Sequence, residues 1–232
     1  MYRRRLPSGF GNQSSALEAS ASRAKPLKRP RQARAKFTVQ AIYDAFVRIW
    51  RAGGWDSVST RSVALETGIS VGTLYDYFPS KEALLSGYVR YCMEALLDEI
   101  ELKVIQAPGI PWRERVQRLV RLTCALHSPA LPYFDAGMLQ LESVIAESKH
   151  HRRVFEEMSE KWIQAIDACT DLPVKPDPEK VRVLFASVWG AKRYLLLLEM
   201  QAAFVESWTE EMVEMCCARL GENDAHPDLH LR

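Results

Sequence analysis

The sequence predicts an all-α protein: a short N-terminal unit of three helices, joined by a long helix to a larger C-terminal helical domain. Three observations predict it. Apolar residues recur at helical, 3.6-residue spacing along each long segment, and the body of the chain carries no strand-like pattern. A glycine, Gly68, separates two short segments that each open on a serine, Ser59 and Ser70. Prolines at 108 and 111, 129 and 132, and 173, 176 and 178 punctuate the longer helices.

Composition narrows the class. A chain of 232 residues suits one or two domains and can bury a substantial core, and its 47% hydrophobic content argues against general disorder. The longest apolar stretch, Val181 to Met200, is broken by Arg182, Lys192, Arg193 and Glu199, so no membrane span is expected. The N-terminus is basic without an apolar stretch, which does not fit a secretory signal. The five cysteines, Cys92, Cys124, Cys169, Cys216 and Cys217, show no metal-binding spacing and suit a reducing cytoplasm. A net charge of +2 conceals an asymmetry. Residues 1 to 36 hold ten Lys or Arg against Glu18, while residues 91 to 232 carry an acidic excess. A basic end on an acidic body suits a protein that grips a polyanion at one end.

Taken in order, residues 1–32 read as a disordered basic arm able to follow phosphates or enter a minor groove. Residues 33–90 read as the three-helix unit with the start of the long helix. The first helix, about Ala35 to Ala52, has Phe37, Ala41, Ile42, Ala45, Phe46, Ile49 and Trp50 on its apolar face. Ser59 caps a helix over Thr60 to Thr67, with Val63, Ala64 and Thr67 inward; Gly68 stops it and Ile69 plugs the turn. Ser70 caps the next, Val71 to Phe78, anchored by Leu74 and Phe78. Two helices joined through so short a glycine turn make a helix-turn-helix, whose second helix offers its N-terminal residues to base edges. Here these are the small Val71, Gly72 and Thr73, while Tyr75 and Tyr77 can offer hydroxyls to phosphates. Pro79 ends the reader and Ser80 caps the long helix, which runs to about Lys103 before Ala107-Pro108-Gly109-Ile110-Pro111.

From Thr60-Arg61-x-Val63-Ala64 through Gly68 and Ser70 to Phe78-Pro79-Ser80-Lys81-Glu82-x-Leu84-Leu85, the chain resembles the TetR family of transcriptional regulators. The resemblance covers roughly residues 35 to 90. It implies that Thr60, Tyr75 and Lys81 contact phosphates and that Thr73 lies in the groove. The candidate DNA-binding set is therefore Thr60, Arg61, Ser70, Val71, Gly72, Thr73, Tyr75, Tyr77 and Lys81. Tyr77 stands where the family often has His, and Leu65 where it usually has a polar residue.

Residues 91–222 read as a helical effector-binding and dimerisation domain, and 223–232 as a frayed tail. The expected helices are Trp112 to His127, with Val116, Leu119, Val120 and Thr123 inward, one ending near Ser148, and one from about His151 to Cys169. Two more follow, Glu179 to Phe204 and Trp208 to Leu220. Phe134, Met138, Leu141 and Ile145 are expected on one helix face. With Trp112, Tyr133, Glu142 and Trp162 added, the candidate ligand-binding set is Trp112, Tyr133, Phe134, Met138, Glu142 and Trp162, since helical bundles often host apolar small-molecule sites. The helix from Glu179 is apolar almost all round. Val181, Leu184, Phe185, Val188 and Leu195 can serve the subunit core; Val183, Ala186, Gly190, Tyr194 and Leu197, with Trp208 and Met212, are the candidate dimer interface. The resemblance implies a four-helix bundle there, two helices from each subunit.

No phosphate loop, paired-carboxylate motif, metal signature or nucleophile elbow occurs, so neither enzymatic activity, cofactor nor metal is expected. The sequence thus points to a cytoplasmic, homodimeric regulator, most simply a repressor. Its expected partners are a palindromic double-stranded DNA operator and a small, largely apolar effector. An effector-independent architectural DNA-binding protein is the alternative.

Overall fold

The computed structural model describes residues 33–126 and 128–222. The basic arm, His127 and the C-terminal tail lie outside the described residues. Among these, nine α-helices and one π-helical turn account for the regular structure, without a strand. They are α1 (Ala33–Ser57), α2 (Thr60–Thr67), α3 (Val71–Tyr77), α4 (Lys81–Ile100), the π turn (Glu101–Ile105), α5 (Trp112–Cys124), α6 (Ala136–Ile145), α7 (Ser148–Asp167), α8 (Pro178–Leu197) and α9 (Ala202–Gly221). Two compact units emerge. Among the described residues, the first holds residues 33–90 together with Glu142–Glu147, and the second holds those from Tyr91 to Leu141 and from Ser148 to Glu222.

The first unit is built on aromatic packing. Its core draws Ile42, Tyr43, Phe46 and Trp50 from α1, Val63 and Ala64 from α2, Leu74 and Phe78 around α3, and Leu84, Leu85 and Tyr88 from α4. The Tyr43 ring lies 5.7 Å from Phe78 and 5.5 Å from Tyr88, and Phe46 lies 5.2 Å from Tyr88. Tilted and edge-on pairs at these separations add to what burial alone contributes. The inward face of α1 is rotated from the expected one. Val39 and Tyr43 are buried, whereas Phe37 is 78% exposed. Phe37 lies in the second turn of α1, upstream of that buried stripe. The kink in α1 falls at Gly53 and Gly54, the latter at φ 65, so Trp55 to Ser57 start the turn into α2.

The second unit is a bundle around one apolar cluster. It takes Leu96, Ile100 and Val104 from α4 and the π turn, Val116, Leu119 and Val120 from α5, and Met158, Trp162 and Ile166 from α7. Val181, Phe185 and Val188 of α8 and Val213, Cys216 and Leu220 of α9 complete it. The end of α4 would leave carbonyls bare, and Arg115 of α5 closes it. Its guanidinium donates to the carbonyls of Val104, Ile105 (3.1 Å) and Ala107 (3.0 Å). A cation at a helix C-terminus also meets the negative end of the helix dipole. Trp162 donates its indole N–H to Thr123, 3.1 Å away, so the bulkiest core residue keeps its polar atom satisfied.

Several boundaries differ from the expected ones. α5 stops at Cys124, not His127, and α7 begins at Ser148, so His150 and His151 lie in its first turn. Phe134 is not on the helix with Met138. Asp135 caps α6 by accepting the Met138 N–H at 2.9 Å, which places Phe134 in the approach to it. The helix expected over Glu179 to Phe204 ends at Leu197, and Phe204 belongs to α9. No proline or glycine marks this break. Glu199 adopts a left-handed φ of 49; its N–H donates to the Leu196 carbonyl and the Met200 N–H to the Leu195 carbonyl. This is the paired hydrogen-bond closure usually made with glycine. A side chain in that conformation costs ~1–2 kcal/mol, partly offset in a glycine variant by a freer unfolded chain. Glu199→Gly should therefore stabilise the protein by about 0.5–1 kcal/mol, read as a higher denaturant midpoint at unchanged slope.

Candidate nucleic-acid interface

The site begins with the connection between α2 and α3. Ser59 accepts from the Ser62 N–H at 2.9 Å while Ser62 Oγ accepts from the Ser59 N–H at 2.9 Å, a reciprocal cap that fixes where α2 starts. Gly68 ends α2 at φ 76, and its N–H and that of Ile69 close onto the carbonyls of Leu65 and Ala64. Ser70 then accepts from the Thr73 N–H at 3.0 Å and starts α3. Leu74 and Phe78 are fully buried and hold α3 by one face. Its other face is left to solvent: Val71, Gly72 and Tyr75 are exposed and Thr73 is half-buried.

The candidate phosphate-binding groups meet in pairs. The Thr60 and Tyr75 hydroxyls lie 3.2 Å apart, across α2 and α3, so one phosphate oxygen could accept from both. Thr73 Oγ1 is 2.8 Å from Ser70 Oγ. This bond orients the Thr73 methyl and hydroxyl at the start of the reader. Arg61 is exposed in the first turn of α2, and Tyr77 is half-buried beside Phe78. Lys81 does not extend freely. Its ammonium lies 4.2 Å above the Trp55 ring and 3.4 Å from the Trp55 carbonyl. Trp55 in turn sits 6.1 Å from Trp50, and Trp50 6.0 Å from Phe46. A line of aromatic rings thus runs from the core of the unit to the cation. The sequence reading missed Trp55, which is 26 residues from Lys81 and follows a Gly-Gly pair. Only the fold brings the two together. A half-buried cation held in advance over a ring loses less side-chain freedom when it meets a phosphate.

Leu65, the departure noted in sequence, is 83% exposed on α2 and fills no core space. Of the ligand-binding candidates, Trp112 and Trp162 are core residues of the second unit, and the Trp112 N–H is tied to Asp171 at 3.0 Å. Tyr133 and Phe134 are half-buried and Met138 is buried in that unit, whereas Glu142 belongs to the first. Of the interface candidates, Val183 (59% exposed), Ala186, Gly190, Tyr194 (62%) and Leu197 form an open stripe on α8; Trp208 and Met212 instead pack partly against the core of their own chain. Cys216 and Cys217 are buried free thiols, and burial pushes the Cys216 thiol up to about 12, far from a reactive thiolate.

A short glycine-turn pair with a solvent-facing second helix flanked by hydroxyls and a cation is the DNA-reading head of a helix-turn-helix regulator. Comparison with known proteins agrees. Residues 42–87 match the model of the bacterial regulatory proteins, tetR family. It is similar to the transcriptional repressor KstR of Rhodococcus jostii, 36% identical over 78 residues, 34% of each chain. It is also similar to KstR of Mycolicibacterium smegmatis, 50% identical over 44 residues, 19% of this chain and 22% of that one. These matches span a third or less of the relatives' own length. Two solved structures extend the likeness of fold. A TetR transcription regulator from Haloarcula marismortui superposes with a TM-score of 0.58 at 17% identity, covering 80% of this chain and 97% of that one. A TetR-family regulator from Mesorhizobium loti gives 0.55 at 20%, covering 82% and 98%.

The turn can be tested directly. Gly68→Ala forces a Cβ into a left-handed residue although no atom lies within 4 Å of it, so the cost is conformational and not steric. The first unit should lose about 1–2 kcal/mol, seen as a lower unfolding midpoint with an unchanged helical signal in the folded state.

Proposed function

We propose that this protein is a ligand-responsive, sequence-specific transcriptional repressor that binds a roughly palindromic operator as a homodimer. A small, largely apolar effector held in the second unit releases it. The observation that carries the DNA-binding part is the exposed start of α3. Val71, Gly72 and Thr73 present almost no bulk, so the helix can approach base edges closely, while Thr60, Tyr75 and Lys81 supply donors beside it. The match to relatives named as repressors supports the direction of control. The supporting observation for the dimer is the open stripe on α8. An apolar helix face bared to water over Val183, Tyr194 and Leu197 is what an isologous interface leaves behind in a single chain.

Release requires that the effector bind more tightly to a conformer that holds the readers at the wrong spacing for two half-sites about 34–36 Å apart, or a multiple of it. α4 contributes residues to both units, Lys81 to Arg90 in the first and Tyr91 to Ile100 in the second, and is the natural carrier of such a shift. A coupling of ~1–3 kcal/mol changes operator affinity by about 5- to 150-fold.

Selection from random duplex DNA should return an inverted repeat. Recovery of sequences without preference would instead favour an architectural DNA-binding protein. Thr73→Ala should relax discrimination between sequences. Lys81→Ala should weaken all sequences alike and reduce the salt slope of log K by about one, the loss of a single phosphate contact. A second prediction concerns assembly. A Cβ added at Gly190 meets nothing within 4 Å in its own chain. Gly190→Trp should therefore leave the fold intact and yield monomers in sedimentation; a dimer that survives it places the interface elsewhere.

A further inference from the structure

Lys81 opens α4. This is the position on a helix where a cation is least favoured, because the bare N–H groups of the first turn carry the positive end of the dipole. Among the described residues its ammonium pairs with no carboxylate, and both of its partners belong to Trp55: the ring at 4.2 Å and the backbone carbonyl at 3.4 Å. Arg48 in the same unit is met differently, by the Glu66 carboxylate at 2.7 Å, which cancels its charge. A ring and a carbonyl attract a cation without neutralising it. Lys81 is therefore held in place with its full charge still on offer. An ammonium has three N–H donors. The carbonyl takes one and the ring face attracts another, which leaves one for an outside acceptor.

The backbone builds this support. Gly54 has φ 65 and ψ −165, a region that only glycine enters cheaply. A Cβ at Gly53 would run into the Ser57 hydroxyl, which donates to the Gly53 carbonyl at 2.9 Å. The Trp55 carbonyl also accepts the Val58 N–H at 3.1 Å, and Val58 is buried. The Trp55 ring packs 6.1 Å from Trp50, itself buried in the core of the unit. Carbonyl and ring are thus each fixed by contacts that do not involve Lys81. Trp55 and Lys81 are both half-buried, which keeps the pair at the surface, within reach of DNA.

We infer that Trp55 is a positioning residue for DNA binding: through its ring and its carbonyl it holds the Lys81 ammonium ready to donate to one backbone phosphate of a DNA duplex. This rests on the DNA-binding reading above and adds to it a residue that touches no phosphate itself. Holding the side chain in advance removes the ordering cost that a free lysine bears on binding. The gain is in affinity for every sequence and not in choice between sequences, because a phosphate carries no base identity.

The test uses the full chain and a random-sequence duplex of about 30 base pairs at low salt, where phosphate contacts dominate binding. Trp55→Leu should weaken binding by about threefold or more, roughly what ordering one long side chain costs. It should leave the salt slope of log K unchanged, because the charge remains. Trp55→Phe keeps a ring and should recover most of the loss. In a Lys81→Met background, Trp55→Leu should have no further effect on affinity. A loss of the same size in both backgrounds makes Trp55 a structural residue only and overturns the inference, as does full affinity in Trp55→Leu. A second measurement does not depend on any Trp55 variant folding. The Lys81 ε-methylene protons, assigned by their loss in Lys81→Met, should be shifted upfield by the ring in the absence of DNA and stay so in the complex. A return to their ordinary position on binding shows that the lysine leaves the ring, and overturns the inference too. A wild-type chain that binds no duplex removes the DNA-binding reading itself, whereas binding that ignores Trp55 removes this inference alone.

Discussion

The reading head depends on the left-handed turn at Gly68. With φ at 76, the chain leaves α2 and enters α3 across three residues, Gly68 to Ser70, and the amide groups of Gly68 and Ile69 stay bonded to the carbonyls behind them. No other residue type reaches that conformation without strain. Once the turn is set, the serine caps at either side fix the first residue of each helix, and Leu74 and Phe78 have one direction in which to bury. The exposed face of α3 is then a consequence and not a separate design. What faces solvent at Val71, Gly72 and Thr73 is whatever Leu74 and Phe78 leave over.

Support for this head comes from rings more than from ion pairs. The bridge between Arg48 and Glu66, 2.7 Å long, is exposed on both sides and contributes little in water. The cluster of Tyr43, Phe46, Phe78 and Tyr88 removes a far larger apolar surface, and through Trp50 and Trp55 it reaches Lys81. Rigidity and function share one path here. The groups that make the domain fold also hold the cation where a phosphate can meet it.

The second unit solves a different problem. It buries a large apolar cluster and turns the opposite stripe of α8, with Val183, Gly190 and Tyr194, to the outside. A helix needed only for packing would have one apolar face. This one has two. An apolar stripe left open to water lowers the stability of an isolated chain.

The sequence by itself determined the local parts. Capping serines, the glycine stop and the proline after the reader act over three or four residues, and helix limits such as Thr60 to Thr67 follow from them. The core of the reader and the inward stripe of α8 were legible for the same reason, because helical periodicity alone assigns their faces. The tertiary structure decided everything that depends on distant residues. The face of α1 turned to bury Tyr43 instead of Phe37, because rings from α3 and α4 meet it there. The α8–α9 break carries no breaker in sequence, since Glu199 accepts a left-handed conformation that its hydrogen bonds and neighbours impose. The placement of Lys81 over Trp55 is likewise a meeting between elements far apart in the chain. Periodicity says which face of a helix is buried; only packing says against what.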